Sequence, residues 1–202
     1  MDLSANQIVS KVLISFKVAP SKFIIDIGAS EGKYNSCSFH LLNELDWSGI
    51  LIEPMPLQFK QLQESYKNKS NVQCIHAALT DHDGHGDIHL HPNDGDGSVT
   101  ANHGSSLLKP NGSRISFLVP TISFQTLSKI APLDIGLLTI DTEGYDLIIL
   151  QNLMNLNMRP QSIISENFFE TKDEEKHALL DKCGYRVVID NGNDTGWILK
   201  DK

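Results

Sequence analysis

The stretch FIIDIGASEGKYN, residues 23–35, decides the fold. Four of its first five positions are apolar, which is typical of a parallel strand that is buried on both faces of a sheet. Gly28 and Gly32 follow, and the backbone there can turn sharply and pass close to a ligand because neither residue carries a Cβ. Asp26 and Glu31 place carboxylates beside that turn. The stretch therefore predicts a central strand followed by a loop that holds a nucleotide-like cofactor.

Length and composition indicate one soluble domain. The chain has 202 residues, of which 40% are hydrophobic and 21% charged, enough for one sizeable core but not for two. No apolar run reaches the roughly 18 residues that a membrane-spanning helix needs. Residues 1–20 predict an amphipathic helix rather than a targeting segment. We expect this helix to belong to the same domain as residues 21–202.

Charge and cysteine content indicate which binding partners and which cellular compartment to expect. The chain carries 17 Lys and Arg against 25 Asp and Glu, a net charge of -8, which argues against a nucleic-acid partner. A small-molecule or glycan substrate fits this charge better. The three cysteines are widely spaced and form no CxxC pair, as expected for reduced thiols in the cytoplasm.

Strand and helix patterns alternate along the chain, which predicts an α/β protein with three layers, a mostly parallel sheet having helices on both faces. Residues 81–113 interrupt this alternation and predict an insert over the cofactor-facing edge. GDIHLHP (86–92) and RISFLVPTIS (114–123) predict paired strands in that region. The predicted strands of the main sheet are 22–27, 49–53, 71–77, 135–141, 161–167, 185–190 and 195–199. The predicted helices after the N-terminal one are 33–45, 56–68, 123–130, 145–153 and 172–183.

The C-terminal segment GYRVVIDNGNDTGWILK (184–200) predicts an antiparallel hairpin, because two β-rich runs flank a tight Asn- and Gly-rich turn. A seven-stranded, mostly parallel sheet that ends in such a hairpin is the Rossmann-like fold of class I S-adenosylmethionine (SAM)-dependent methyltransferases. A nicotinamide-binding sheet does not need this ending.

The glycine spacing also favours SAM. Gly28 and Gly32 form GxxxG, whereas the dinucleotide fingerprint is GxGxxG, and Ser30 occupies the position of its second glycine. SAM has no phosphate, so its loop needs only to pass closely around the ribose and the methionine chain. Asp26 or Glu31 is the candidate partner of the cationic amino group or sulfonium, and Ser30 is a further candidate contact.

The second predicted strand ends in Glu53, within GILIEPMP (49–56). A carboxylate at this position can accept two hydrogen bonds from the ribose diol of a cofactor. Pro54 ends the strand and fixes the turn beside the cofactor.

The third predicted strand leads into CIHAALTDHDG (74–84). Ala77 and Ala78 are small enough to admit an adenine ring. Asp81 or His76 is the candidate partner of the exocyclic amine of that ring.

The fourth element, LLTIDTEGYD (137–146), brings Asp141 and Glu143 to the same edge of the sheet. Ligands of open α/β sheets bind at the carboxyl ends of the strands. Unpaired buried acids are costly, so two carboxylates at a strand end indicate a site. We predict Asp141 and Glu143 as catalytic residues, with Asp141 also next to the cofactor. His103 is a further candidate base or substrate contact.

Several motifs, in order from about residue 22 to 199, resemble the FkbM family of SAM-dependent methyltransferases. The resemblance implies a class I fold, methyl transfer to oxygen, and cofactor contacts at Asp26, Gly28, Gly32, Glu53 and the Asp81 loop. One departure is Thr139, where many members have lysine. The motifs are FIIDIGASEGKYN, ILIEPMP, AALTDHDG, LVPTISFQTL, LLTIDTEGYDLIIL, IISENF and CGYRVV.

A metal site is the alternative to metal-free base catalysis. Asp141 ends one predicted strand, and Glu166 and Asn167 end the strand predicted to lie beside it. These three residues would supply three oxygen ligands, which suit Mg²⁺. This arrangement is similar to that of catechol O-methyltransferase-like enzymes, in which the metal holds the substrate hydroxyl. In the other interpretation Asp141 or Glu143 acts as a general base without metal.

The predicted function is SAM-dependent O-methylation of a hydroxyl on a sugar or a small-molecule metabolite. Two alternatives belong to other classes: a nicotinamide-dependent reductase and a non-catalytic SAM-binding module.

Overall fold

The computed structural model describes residues 4–33, 36–90, 105–108, 115–167 and 170–200. Its helices are α1 (Ala5–Ile14), α2 (Phe39–Glu44), α3 (Pro56–Tyr66), α4 (Phe124–Ile130), α5 (Asp146–Asn155) and α6 (Glu170–Lys182). Its strands are β1 (Phe23–Ile27), β2 (Ser48–Ile52), β3 (Val72–Ile75), β4 (Ala78–Thr80), β5 (Gly84–Leu90), β6 (Ser105–Ser106), β7 (Ser116–Ser123), β8 (Leu137–Ile140), β9 (Ser162–Glu166), β10 (Tyr185–Asp190) and β11 (Asp194–Leu199).

The main sheet has seven strands in the order β10-β11-β9-β8-β1-β2-β3. β1 pairs in parallel with β2 and β8, whereas β11 is antiparallel to both β9 and β10. The predicted parallel sheet with a C-terminal antiparallel hairpin is therefore confirmed. β1 and β8 lie at its centre because their apolar residues can be buried on both faces.

Hydrophobic cores lie on both faces of the main sheet. Successive β1 residues point to opposite faces, so Ile25 packs into one core and Ile24 into the other. Helix α1 packs against the second core through residues that include the fully buried Val12. Among the described residues, no helix combines the length and the apolar character needed to cross a membrane.

A second sheet has the strand order β4-β7-β5-β6. β5 pairs with β7 in antiparallel orientation, so the pairing predicted for this region is confirmed. The sheet extends from Ala78 to Ser123, beyond the expected limits of 81–113. The third strand, predicted as 71–77, ends at Ile75 because the chain leaves the main sheet at His76. The His76 ring lies 3.0 Å from the Pro54 carbonyl oxygen and stacks on Phe59.

The helix predicted over 33–45 is wrong at its start, since α2 begins at Phe39. The Ser36 hydroxyl accepts hydrogen bonds from the backbone N–H groups of Ser38 and Phe39. Serine side chains compete in this way with helical hydrogen bonds and favour a position before the first turn. Helices α3 to α6 begin and end within two residues of their predicted bounds.

Candidate functional site

A cavity of about 950 Å³ opens at the carboxyl edge of the main sheet. The segments that follow β1, β2, β8 and β9 all contribute to its wall, as expected for an open α/β sheet. Eleven predicted site residues line it: Asp26, Gly28, Ser30, Glu31, Glu53, Pro54, Ala77, Ala78, Asp141, Glu143 and Glu166. Gly32, Asp81 and Asn167 do not line it, and His103 lies outside the described residues.

Asp26 is buried in β1, and two hydroxyl groups bind its carboxylate. Ser38 donates to Oδ2 at 2.6 Å and Thr139 donates to Oδ1 at 2.7 Å. Burial raises the pKa of Asp26, and these two hydrogen bonds oppose the rise. Thr139, the residue that departs from the family pattern, thus contacts the aspartate of the first motif with a neutral group.

The turn after β1 is shaped by contacts within the protein. Gly28 has φ +85°, and a Cβ there would lie 1.8 Å from the backbone oxygen of Asp141. Its N–H and that of Ala29 donate to the Ile52 carbonyl, which holds the turn against the end of β2. Gly32 faces α3, where a Cβ would meet the Leu62 side chain at 2.5 Å. Gly32 therefore serves helix packing, whereas Gly28 brings the first and fourth motifs together.

Glu53 is 5% exposed and is held by two backbone N–H groups. Met55 donates to Oε1 at 2.8 Å and Ser30 donates to Oε2 at 2.9 Å. Burial raises the pKa of Glu53 to about 7, although both hydrogen bonds oppose the shift. Each carboxylate oxygen keeps a further lone pair for a ligand hydroxyl. The loop after β1 and the end of β2 are thereby fixed around one acceptor group.

An apolar wall continues the cavity beyond Glu53. It consists of Ala77, Ala78 and Leu79, together with Ile88 from the second sheet, and all four residues are buried. This surface suits the flat face of an aromatic ring.

Three carboxylates form an acid group on the side of Glu53 that faces away from the apolar wall. Asp141, Glu143 and Glu166 each offer an oxygen, and these oxygens lie within 4.8 Å of one another. Asp141 is exposed to the open cavity, and Glu143 and Glu166 are partly buried. Desolvation by the surrounding protein raises the pKa values of Asp141 and Glu166, and repulsion among neighbouring carboxylates raises them further. Glu143 has a left-handed backbone, φ 54°, at the turn into α5. Such strained residues cluster at functional sites.

A buried polar network supports the acid group from behind. The Asp146 carboxylate accepts hydrogen bonds from Thr142 and, at 2.8 Å, from the Ser165 hydroxyl. Lys176, 2% exposed, donates to the Ser165 hydroxyl and the Glu166 carbonyl, and pairs with Asp173 at 2.8 Å. The network joins the start of α5, the end of β9 and α6. Sequence analysis missed it, because a lysine within a charged helix normally faces solvent.

Two predicted ligands have other contacts. The exposed Asp81 carboxylate lies 2.8 Å from Nδ1 of His82. The Asn167 amide oxygen accepts a hydrogen bond from Thr195, and Asn167 does not line the cavity, whereas Glu143 lies beside Asp141 and Glu166.

Gln58, Asn193 and Asp194 line the cavity without having been predicted. The position of Asp194 could have been predicted from the hairpin pattern, because Asp194 begins the antiparallel strand β11. The start of an antiparallel strand lies at the same edge of the sheet as the ends of its parallel neighbours. Asp194 accordingly pairs with Glu166 in the register of β11 and β9. Nothing in the sequence indicated that Gln58 lines the cavity, because a glutamine in a helix is ordinarily solvent-exposed.

The cavity is strongly acidic. Among the described residues that line it, none is Lys, Arg or His. Seven are acids: Asp26, Glu31, Glu53, Asp141, Glu143, Glu166 and Asp194. Such a lining favours a cationic ligand and disfavours a phosphate group.

Residues 26–187 match the family described as the Methyltransferase FkbM domain. The chain belongs to the FkbM methyltransferase family. The resemblance noted in the sequence is thereby confirmed, and the match includes the strands that carry Asp26, Glu53, Asp141 and Glu166. No curated protein sequence matches the chain.

Solved structures similar to this FkbM chain include methyltransferases of low sequence identity. A methyltransferase FkbM from Methylobacillus flagellatus KT has a TM-score of 0.56 and 14% identity, and the match covers 88% of this chain and 43% of that one. An SAH-bound methyltransferase of Podospora anserina has a TM-score of 0.52 and 12% identity, with 89% and 72% covered. The precorrin-6y C5,15-methyltransferase from Geobacter metallireducens GS-15 has a TM-score of 0.51 and 13% identity, with 91% and 71% covered. These likenesses identify the class I methyltransferase fold, and the FkbM chain spans less than half the length of the Methylobacillus protein.

Proposed function

We propose that this chain binds SAM in the cavity and transfers its methyl group to a hydroxyl of a sugar or another small metabolite. The observation that carries the proposal is the acidic lining, in which seven residues are Asp or Glu and none of the described ones is Lys, Arg or His. SAM presents a sulfonium and an ammonium group, which match this lining. A nicotinamide dinucleotide would bring a pyrophosphate against the same carboxylates, so the reductase alternative is disfavoured.

The order of groups along the edge fits the order of groups in SAM. Glu53 directly follows β2, where its free lone pairs can accept hydrogen bonds from the ribose diol. Asp141 follows β8, and β1 separates these two strands. The ribose therefore lies at Glu53, and the sulfonium methyl points toward the acid group.

Methyl transfer is an in-line displacement, so positioning supplies much of the catalysis. The acceptor oxygen donates a lone pair to the methyl carbon while the carbon–sulfur bond breaks. The bonding electrons pass to sulfur and leave neutral S-adenosylhomocysteine (SAH). The hydroxyl proton passes to a carboxylate of the acid group, either Asp141 or Glu143.

The acid group also fits a hard divalent cation such as Mg²⁺. Asp141, Glu143 and Glu166 would hold it, because each offers a carboxylate oxygen, these oxygens lie within 4.8 Å of one another, and carboxylates are ligands that such a cation prefers. A bound ion would supply a Lewis acid that lowers the pKa of the acceptor hydroxyl. Chelation followed by dialysis tests this assignment: activity that persists, with no gain on adding Mg²⁺, contradicts it and leaves the carboxylates as base.

Calorimetric titration with SAM, SAH and NADH tests the cofactor assignment. We expect SAM and SAH to bind, NADH not to bind, and Glu53→Gln to weaken SAH binding by about tenfold or more. Glu64→Gln is the matched control, because Glu64 lies on α3 with its side chain 70% exposed. Absence of SAM and SAH binding would contradict the proposal.

A methyl-transfer screen across glycans and small hydroxylated metabolites tests the reaction. Asp141→Asn should retain SAH binding and lower turnover, because it removes one of the two candidate proton acceptors and keeps the shape of the site. Glu143→Gln tests the other acceptor in the same way. Wild-type protein that binds SAM but methylates no acceptor in the screen would instead indicate a non-catalytic SAM-binding module.

A further inference from the structure

Gln58 has a buried polar group that finds no hydrogen-bond partner within the part of the chain that the structure describes. The residue is the third of α3, lines the cavity and is 7% exposed. Its amide oxygen is buried and has no hydrogen-bond partner among the described residues. An unpaired buried acceptor destabilises a protein, and such groups are rare in folded chains. A ligand that supplies a donor at this point would remove the penalty.

The position of Gln58 along the cavity indicates which part of a ligand it meets. The strand order places β8, β1, β2 and β3 side by side, with neighbouring strands about 4.8 Å apart. The acid group follows β8 and β9, Glu53 follows β2, and the apolar wall begins just after β3. Gln58 comes five residues after Glu53, on the helix that β2 leads into. It therefore belongs to the half of the cavity that lies beyond Glu53, away from the acid group.

In an adenosyl cofactor the ribose connects the base to the sulfur. With the ribose at Glu53 and the sulfur toward Asp141, the base must lie beyond Glu53, against the apolar wall. The two sequence candidates for its exocyclic amine have other contacts. Asp81 lies beside His82 and outside the cavity lining, and the His76 ring lies against the Pro54 carbonyl and Phe59.

We propose that Gln58 is the residue that recognises adenine in the cofactor, an inference that rests on the proposed function. A primary amide offers an acceptor and a donor side by side. Its oxygen accepts a hydrogen bond from the exocyclic N–H of adenine, and its N–H donates to N7, the pairing by which glutamine reads adenine elsewhere. Gln58 thereby selects a 6-amino purine over a 6-oxo purine, which presents two acceptors, O6 and N7, on the same edge.

Calorimetry with SAH and S-inosylhomocysteine tests this assignment. Wild-type protein should bind SAH about tenfold more tightly than the 6-oxo analogue, which places an acceptor opposite the amide oxygen. Gln58→Leu should lose this preference through weaker SAH binding. Gln61→Leu, on the exposed side of the same helix, should keep it. Thermal melting checks folding, and Gln58→Leu should melt no lower than wild type because the lost oxygen is unpaired.

The outcomes separate the two proposals. Equal binding of both ligands by the wild type, or an unchanged preference in Gln58→Leu, overturns the role of Gln58 and leaves the SAM-binding proposal standing. Failure of the wild type to bind SAH overturns the proposed function and the role of Gln58 with it.

Discussion

Thr139 and Asp26 face each other across β8 and β1, joined by a 2.7 Å hydrogen bond from the Thr139 hydroxyl to the buried carboxylate. Thr139→Val keeps the shape and removes this donor, which leaves one carboxylate oxygen unsatisfied. We expect the free energy of unfolding, measured in urea, to fall by about 1–3 kcal/mol.

Thr121→Val is the control for that prediction. Thr121 is 4% exposed, like Thr139, but its hydroxyl has no hydrogen-bond partner among the described residues. The change should be neutral or slightly stabilising. Equal effects at both threonines would contradict the importance of the bond to Asp26.

Gly28→Ala should destabilise the protein strongly. The new Cβ would lie 1.8 Å from the Asp141 backbone oxygen, so the two turns could not keep their separation. Gly192→Ala provides a comparison at nearly the same backbone conformation, φ +91° against +85°, with nothing within 4 Å of the added atom. We expect Gly192→Ala to lower the free energy of unfolding by roughly 1 kcal/mol and Gly28→Ala by several times that amount. Similar losses in urea unfolding would show that the contact with Asp141 is unimportant.

Stability should depend on pH through Glu53. Burial raises the pKa of this carboxyl to about 7, whereas in the unfolded chain it ionises near its ordinary value. Between those two values the folded state holds a proton that the unfolded state has lost, so the free energy of unfolding falls as the pH rises. The contribution is present in full below the unfolded pKa and is lost as the pH passes through 7.

Urea unfolding of wild type and Glu53→Gln at pH 5 and pH 8.5 measures this contribution. The wild type should lose up to roughly 3 kcal/mol more than the variant over this interval. Parallel pH profiles of the two proteins would contradict the raised pKa.

Lys176→Met should be among the most damaging single changes outside the cavity. The side chain is 3% exposed and pairs with Asp173, so its removal leaves a partly buried carboxylate without its cation. We expect a loss of about 3–5 kcal/mol, part of which Asp173→Asn should restore in the double variant. Lys200→Met, which breaks an exposed pair with Asp181, should change stability by less than about 1 kcal/mol. A loss for Lys176→Met no larger than that for Lys200→Met would argue against the network.

Much of the main sheet could be predicted from the sequence because long apolar runs define strands that are buried on both faces. β1 and β8 are the clearest examples. The start of α2 could not be predicted, since its position depends on Ser36 and Ser38 binding the backbone and Asp26. The end of β3 at Ile75 and the start of a strand of the second sheet at Ala78 were also not predicted, because periodicity does not tell which sheet a strand joins.

Some residues of the candidate site could likewise be predicted from the sequence and others could not. Glu53, Asp141 and Glu166 were found because each stands at the end of a buried parallel strand. Asp81 and Asn167 were expected to join them by the same logic, but in the fold their side chains contact His82 and Thr195. Gln58 and Lys176 stand in helices, where sequence alone does not show which side chains face inward.

β11 lies between β9 and β10, so β10 has no neighbour in the main sheet until the residues after it have been made. Asp194, the first residue of β11, forms part of the cavity wall. A nascent chain on the ribosome can thus assemble the strands that carry Asp26, Glu53 and Asp141 while its ligand site is still open along one side. If the chain binds SAM as proposed, nascent chains should gain affinity for SAM only after residue 199 has emerged from the exit tunnel.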